Sequence, residues 1–140
     1  MRRTDPPADF PFRVEVEGLT WGAFLAAEGP SLAVEAIEVR RGDEPWATKL
    51  PGLARWGNLT LRRGHCGWDL YEWCLAAAEG RPQRRSLSLV RLADDRQGEA
   101  GRLNLFECWP VRWSGWKVDG VGRGVLVEEV EIATERVGRG

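Results

Sequence analysis

Apolar and polar residues alternate at a period of two along most of the chain, which predicts a mainly β protein. Phe12-Arg13-Val14-Glu15-Val16-Glu17 alternates cleanly and stops at Gly18. Trp21 to Ala27 follows after a three-residue gap, the spacing of an antiparallel partner strand. Leu32 to Arg40 predicts a third strand whose phase slips: Leu32 and Val34 share one face, Ile37 and Val39 the other, so a bulge or a change of packed surface is expected. Arg41 to Ala54, with Pro45, Trp46, Pro51 and Gly52, reads as a long polar connection. Gly57 to Arg63, Arg85 to Leu92 (slipping near Val90), Gly101 to Trp109 with an extension over Val111 to Ser114, and Val125 to Glu135 complete the expected strands.

One segment departs from this period. In Asp69 to Glu79, DLYEWCLAAAE, the residues Leu70, Trp73, Cys74 and Ala77 recur at helical spacing and predict a helix with one core-facing stripe. Gly80 stands where a C-terminal cap belongs, and Pro82 prevents continuation. Asp94 to Gly98 and Gly120 to Gly124 read as turns. Residues 1–11, Pro-rich and without an apolar run, read as a flexible N-terminal arm, 12–136 as one β domain, and 137–140 as a short polar tail. The expected fold is a small β-barrel of two packed antiparallel sheets with one flanking α-helix.

Composition narrows the function more than the fold. The 140 residues suit a single domain with its own core. The formal net charge is -1, so no general attraction to nucleic acid or to an anionic membrane is expected. All the basic residues except Lys49 and Lys117 are arginine, a side chain suited to forked interface contacts. The N-terminal MRRTDPPADFPF lacks the apolar core of a signal peptide, and no stretch is long enough to span a membrane, so synthesis in the cytoplasm is expected, followed by retention there or exit by a route other than the general secretory one.

Each candidate for chemistry fails on its context. His65 is the only histidine and adjoins Cys66, but a Cys-His nucleophilic pair needs facing side chains, which sequence neighbours in a turn seldom present. Cys66, Cys74 and Cys108 have no Cys-x-x-Cys spacing and read as free, partly buried thiols. The GVGRG at 120–124 precedes a strand, whereas a dinucleotide fingerprint needs a helix there. Asp94-Asp95 lacks the remaining oxygen ligands of a calcium loop. The basic cluster Arg81, Arg84 and Arg85 has no aromatic platform for nucleic acid and reads as a loop or an ion-pairing interface. Neither a cofactor nor a metal is expected. The eight tryptophans are the unusual feature, and they suit a protein interface or the stacking platform of a monomeric sugar-binding barrel.

The segment KLPGLARWGNLTLRRG, residues 49–64, carries a resemblance that decides between these readings. It is similar to the most recognisable segment of the phage tail tube family, the T4-like tail tube proteins and their relatives in contractile injection systems. Lys49-Leu50-Pro51-Gly52-Leu53, Arg55, Trp56, Gly57-Asn58, the Leu59-Thr60-Leu61 strand and Arg63-Gly64 match in order, with Trp56 where Tyr is usual. FRVEVEG at 12–18, FECWPVRWSG at 106–115 and VEEVEIATE at 127–135 resemble the family's first strand, aromatic-Trp-Pro segment and closing strand. Glu28-Gly29-Pro30 departs from the Ser-Gly usual in that place.

The resemblance implies a structural building block, not an enzyme: hexameric rings stacked into a hollow tube inside a contractile sheath. The implied partners are further copies of the chain, the sheath protein, baseplate or tube-initiator proteins, and cargo in the lumen. A low-copy tube initiator or adaptor of the same machine is the alternative role. The expected self-assembly residues are Trp46, Lys49, Leu50, Pro51, Gly52, Leu53, Arg55, Trp56, Asn58 and Arg63, with the 41–54 connection long enough to reach another ring.

Overall fold

The computed structural model describes residues 10–95, 97–115, 117–118 and 125–139. Period-two alternation becomes β1 (Phe12–Val16), β2 (Leu19–Glu28), β3 (Leu32–Arg40), β4 (Ala47–Trp56) and β5 (Leu59–Cys66). The helix α1 (Trp68–Ala78) comes next, followed by β6 (Arg85–Leu92), β7 (Glu99–Ser114), β8 (Lys117–Val118), β9 (Val125–Ala133) and β10 (Arg136–Arg139). The protein is thus mainly β, with one helix among the described residues. The GVGRG segment and Trp116 lie outside those residues.

Eight strands form one antiparallel sheet in the order β10-β7-β6-β1-β2-β5-β9-β8. The 16-residue β7 joins the two ends. Its first half pairs with β6 and its second half, Trp109 to Ser114, with β9, the register stepping between Pro110 and Arg112. Residues expected as two packed sheets therefore form a single sheet that returns to its own β7. The short tail expected from residue 137 is instead part of β10, which continues from β9 along the same edge of β7.

Local chemistry explains these paths. Glu17 (φ 53) and Gly18 (φ 86) supply the two positive dihedrals of a tight hairpin turn between β1 and β2. The inward side chains Val14, Val16, Phe24, Leu59, Leu61, Leu87, Leu105, Val130 and Ile132 are buried in one cluster. Each such side chain contributes about 1.5–3 kcal/mol on removal from water. α1 caps one end of this cluster with Leu70 and Trp73, and the Trp73 indole donates to the Gln83 carbonyl at 2.6 Å. Its end is a Schellman motif: Gly80 (φ 81) donates to Ala77 and Arg81 to Ala76, at 3.2 and 2.9 Å.

β6 is apolar on both faces, the source of its apparent slip. Leu87 and Leu89 face the core cluster, whereas Val90 lies on the other face, between Arg13 of β1 and Arg102 of β7. Those arginines form a network with Glu15 and Glu99, and their stems stand beside a fully buried Val90. The hydrogen bond and charge of Arg102 hold the Glu99 carboxyl below its ordinary range.

Candidate functional site: a projecting hairpin

The strands β3 and β4 pair only with each other, as a separate two-stranded sheet. The connection expected at 41–54 is therefore mostly strand: only residues 41–46 are irregular, and Ala47–Trp56 runs antiparallel to β3. Pro51-Gly52 is not a reversal but part of a bulge. Val34 pairs with Ala54 and Ala36 with Pro51, so Gly52 and Leu53 together oppose Glu35. A hairpin with no neighbours on its edges accommodates Pro51 without losing a ladder bond inside a sheet. The slip expected in β3 lies instead in its partner. β3 itself alternates regularly, which puts Leu32 and Val34 on one face and Ile37 and Val39 on the other.

Both faces are open to solvent. Leu53 is 73% exposed, Trp46 63%, Leu32 55% and Val34 51%, values that belong to unpartnered apolar surface and not to a core. An isolated two-stranded hairpin is at best marginally stable in water. This one is held at its base. A β-carbon on Gly29 would lie 2.5 Å from the Asn58 carbonyl oxygen, and one on Gly57 2.3 Å from Ser31 Oγ. The Gly57 N–H donates to the Ser31 carbonyl at 2.7 Å, and the Asn58 amide donates to Glu131 at 2.7 Å.

The expected assembly residues thus divide into three groups. Trp46, Lys49, Leu50, Pro51, Gly52, Leu53, Arg55 and Trp56 lie together on the hairpin or its tip, with Leu50, Leu53 and Arg55 exposed. Asn58 belongs to the base. Arg63 is not on the hairpin; it sits within β5 at φ 53, exposed. Sequence reasoning missed Leu32, Val34 and Ile37, which share the hairpin's exposed apolar surface. Their alternation was legible, but their lack of a covering layer was not.

Elsewhere among the described residues the surface carries little chemistry. Burial pushes the thiols of Cys66 and Cys74 up to about 12 and that of Cys108 to about 11, so none is a nucleophile at neutral pH. Among the described residues no His, Cys, Asp and Glu cluster could hold a metal. Asp95 accepts the Gln97 N–H at 2.9 Å, the job of a turn residue. The basic cluster is occupied by ion pairs: Arg81 with Glu79, Arg84 with Glu135 and Arg85 with Glu17. Trp21 and Trp73 meet edge-to-face at 5.7 Å, and Tyr71 meets Trp113 at 5.4 Å, so these rings pack on one another. No described helix is long and apolar enough to cross a membrane.

Known proteins share this fold. The family described as T4-like virus tail tube protein gp19 matches residues 8–138. None of the curated proteins compared with the chain matches it in sequence. Among solved structures, the sheath–tube complex of an extracellular contractile injection system (PVC, extended state) contains a chain 20% identical with a TM-score of 0.69, covering 92% of this chain and 87% of that one. The tube-terminating cap of the anti-feeding prophage contains one 20% identical with a TM-score of 0.67, over 99% and 93%. Hcp1 from Flavobacterium johnsoniae is 15% identical with a TM-score of 0.53, over 94% and 95%. With nearly the whole chain matched, this protein belongs to the T4-like virus tail tube protein gp19 family.

Proposed function

We propose that the chain is the inner-tube subunit of a contractile phage tail or phage tail-like injection system. Its closed sheet is the barrel of one subunit. Six copies form a ring, rings stack into a hollow tube, and a sheath surrounds the tube. The role is structural and involves no catalysis. Contacts with sheath, baseplate or initiator proteins and with cargo in the lumen belong to the same proposal, as does assembly in the cytoplasm before release.

The observation that carries it is the hairpin: exposed apolar side chains on both faces, no strand partner beyond itself among the described residues, and fixed at its base. Such an element is complete only against other chains. Trp46, Lys49, Leu50, Pro51, Gly52, Leu53, Arg55 and Trp56 supply the contact, with Asn58 holding its base and Arg63 on a separate surface of β5. Electron microscopy of the purified full chain at high concentration, with light scattering for mass, tests the proposal. Rings or tubes are expected, and Arg55→Glu or Leu53→Asp leaves a folded monomer. Monomers that persist even on co-expression with sheath and baseplate proteins overturn it. Copy number per purified particle separates a main subunit from an initiator of the same fold.

A further inference from the structure

The wall made by β2, β5 and β9 contains one row where its hydrogen-bond ladder lapses. Pairing runs Phe24–Gly64–Val127 on one side of the row and Ala26–Arg62–Glu129 on the other. Between them Leu25, Arg63 and Glu128 lie abreast without bridging, because Arg63 adopts φ 53, a conformation that side-chain-bearing residues rarely take. Strain of this kind within a strand points to a use for the side chain it re-aims.

The row opens into a surface cavity of about 260 Å³, to which Leu126 and Phe10 add apolar lining. Leu25 is 43% exposed and Leu126 39%. The adjacent Arg62 is tied to Glu28 and Glu129, at 3.3 and 3.7 Å. Arg63 and Glu128 make no ion pair among the described residues. The groove therefore sets one cation and one anion, neither ion-paired among the described residues, side by side against the apolar lining of Leu25, Leu126 and Phe10.

The hairpin offers the converse. Glu35, Leu53 and Arg55, with Ala33 and Val34, line a single concavity of about 300 Å³, and Leu53 belongs to the bulge formed with Gly52. Neither Glu35 nor Arg55 has an ion-pair partner among the described residues. Here the exposed Leu53 shares one concavity with an anion and a cation that are not ion-paired among the described residues.

We propose that the hairpin of one copy seats Leu53 in the groove of a second copy, against Leu25 and Leu126, with Glu35 meeting Arg63 and Arg55 meeting Glu128. This rests on the tube-subunit reading and names the receiving surface that reading leaves open. Charge matching of both signs fixes register and orientation as well as attraction.

Charge exchange in the full-length chain tests the pairing. Arg63→Glu is expected to raise the concentration needed for tube formation about tenfold. Combining it with Glu35→Arg restores assembly toward the parent value. A second readout is proximity: Leu53→Cys and Leu126→Cys chains, prepared separately and mixed, give a disulfide-linked dimer on oxidation of the assembled sample. Normal assembly of Arg63→Glu overturns the pairing, as does its failure to recover with Glu35→Arg. Tubes without a crosslinked dimer overturn it too, and in each of these cases the tube reading survives. If the parent chain makes neither rings nor tubes alone or with its sheath and baseplate proteins, the tube reading itself fails, and the pairing falls with it.

Discussion

A β-carbon on Gly64 would lie 2.1 Å from Cδ2 of Phe24 and 2.4 Å from the carbonyl oxygen of Ala23. Phe24 is fully buried and has nowhere to move. The glycine that ends KLPGLARWGNLTLRRG is therefore a packing requirement of the sheet, while the residues that begin the motif serve its exposed hairpin. Gly64→Ala is expected to destabilise the fold by about 1–3 kcal/mol, the cost of overpacking. Thermal melting checks this, with a fall of roughly 3 °C per kcal/mol at this chain length.

Trp73 joins helix to sheet through its bond to the Gln83 carbonyl and its edge contact with Trp21. Trp73→Phe retains much of the apolar burial but leaves that carbonyl without its donor. A loss of about 1–3 kcal/mol is expected in urea denaturation, along with loss of the near-ultraviolet dichroism of the Trp21–Trp73 pair.

The three thiols make the protein sensitive to alkali. Burial raises Cys66 and Cys74 from 9.0 to about 12 and Cys108 from 9.0 to about 11, with Cys66 adding to the effect at Cys74. The folded chain then holds protons that the unfolded chain releases above pH 9. This part of the stability is fully present below the unfolded value and is lost as pH rises from 9 toward 12. Urea midpoints should be level up to pH 8 and fall by pH 10. Ellman's reagent at pH 8 should react slowly with the native protein and titrate 3 thiols per chain after denaturation.

Ser31 and Gly57 already meet across the hairpin base by a 2.7 Å hydrogen bond. Replacing residues 32–56 with a short Gly-Ser turn should therefore leave the closed sheet intact. The melting temperature is expected to stay within about 3 °C of the parent, because no strand outside the hairpin loses a partner. Light scattering should show a monomer at every concentration. A collapse of the fold would mean that the hairpin stabilises its own chain as well as contacts with others.

The sequence was most readable where side-chain period and backbone agree. β3 and β6 run over the expected Leu32–Arg40 and Arg85–Leu92, and α1 is displaced by one residue from its expected span. β4 was hidden because Pro51-Gly52 is also the composition of a turn, and only the facing Glu35 shows that it forms a bulge. The closure through β7 was hidden because one continuous strand serves three partners, β6, β9 and β10, and period alone names none of them. The tail was misread because Val137 and Gly138 gain their place from Leu105 and Asn104, more than thirty positions away. Of the candidate assembly residues, the hairpin group came from one motif. Arg63 came from the same motif, but its φ of 53 within β5 is a backbone angle that no pattern of residue types encodes.

The hairpin's base has a mechanical consequence. Gly29 and Gly57 bring the backbone of one crossing against the atoms of the other, so β2 passes into β3, and β4 into β5, with no slack segment between them. A push delivered to the hairpin enters two neighbouring strands of the closed sheet and spreads through their hydrogen bonds before it strains any loop. The joint is built as a strut and not as a hinge, so in the proposed tube stiffness depends on these two glycines as well as on the surfaces that touch.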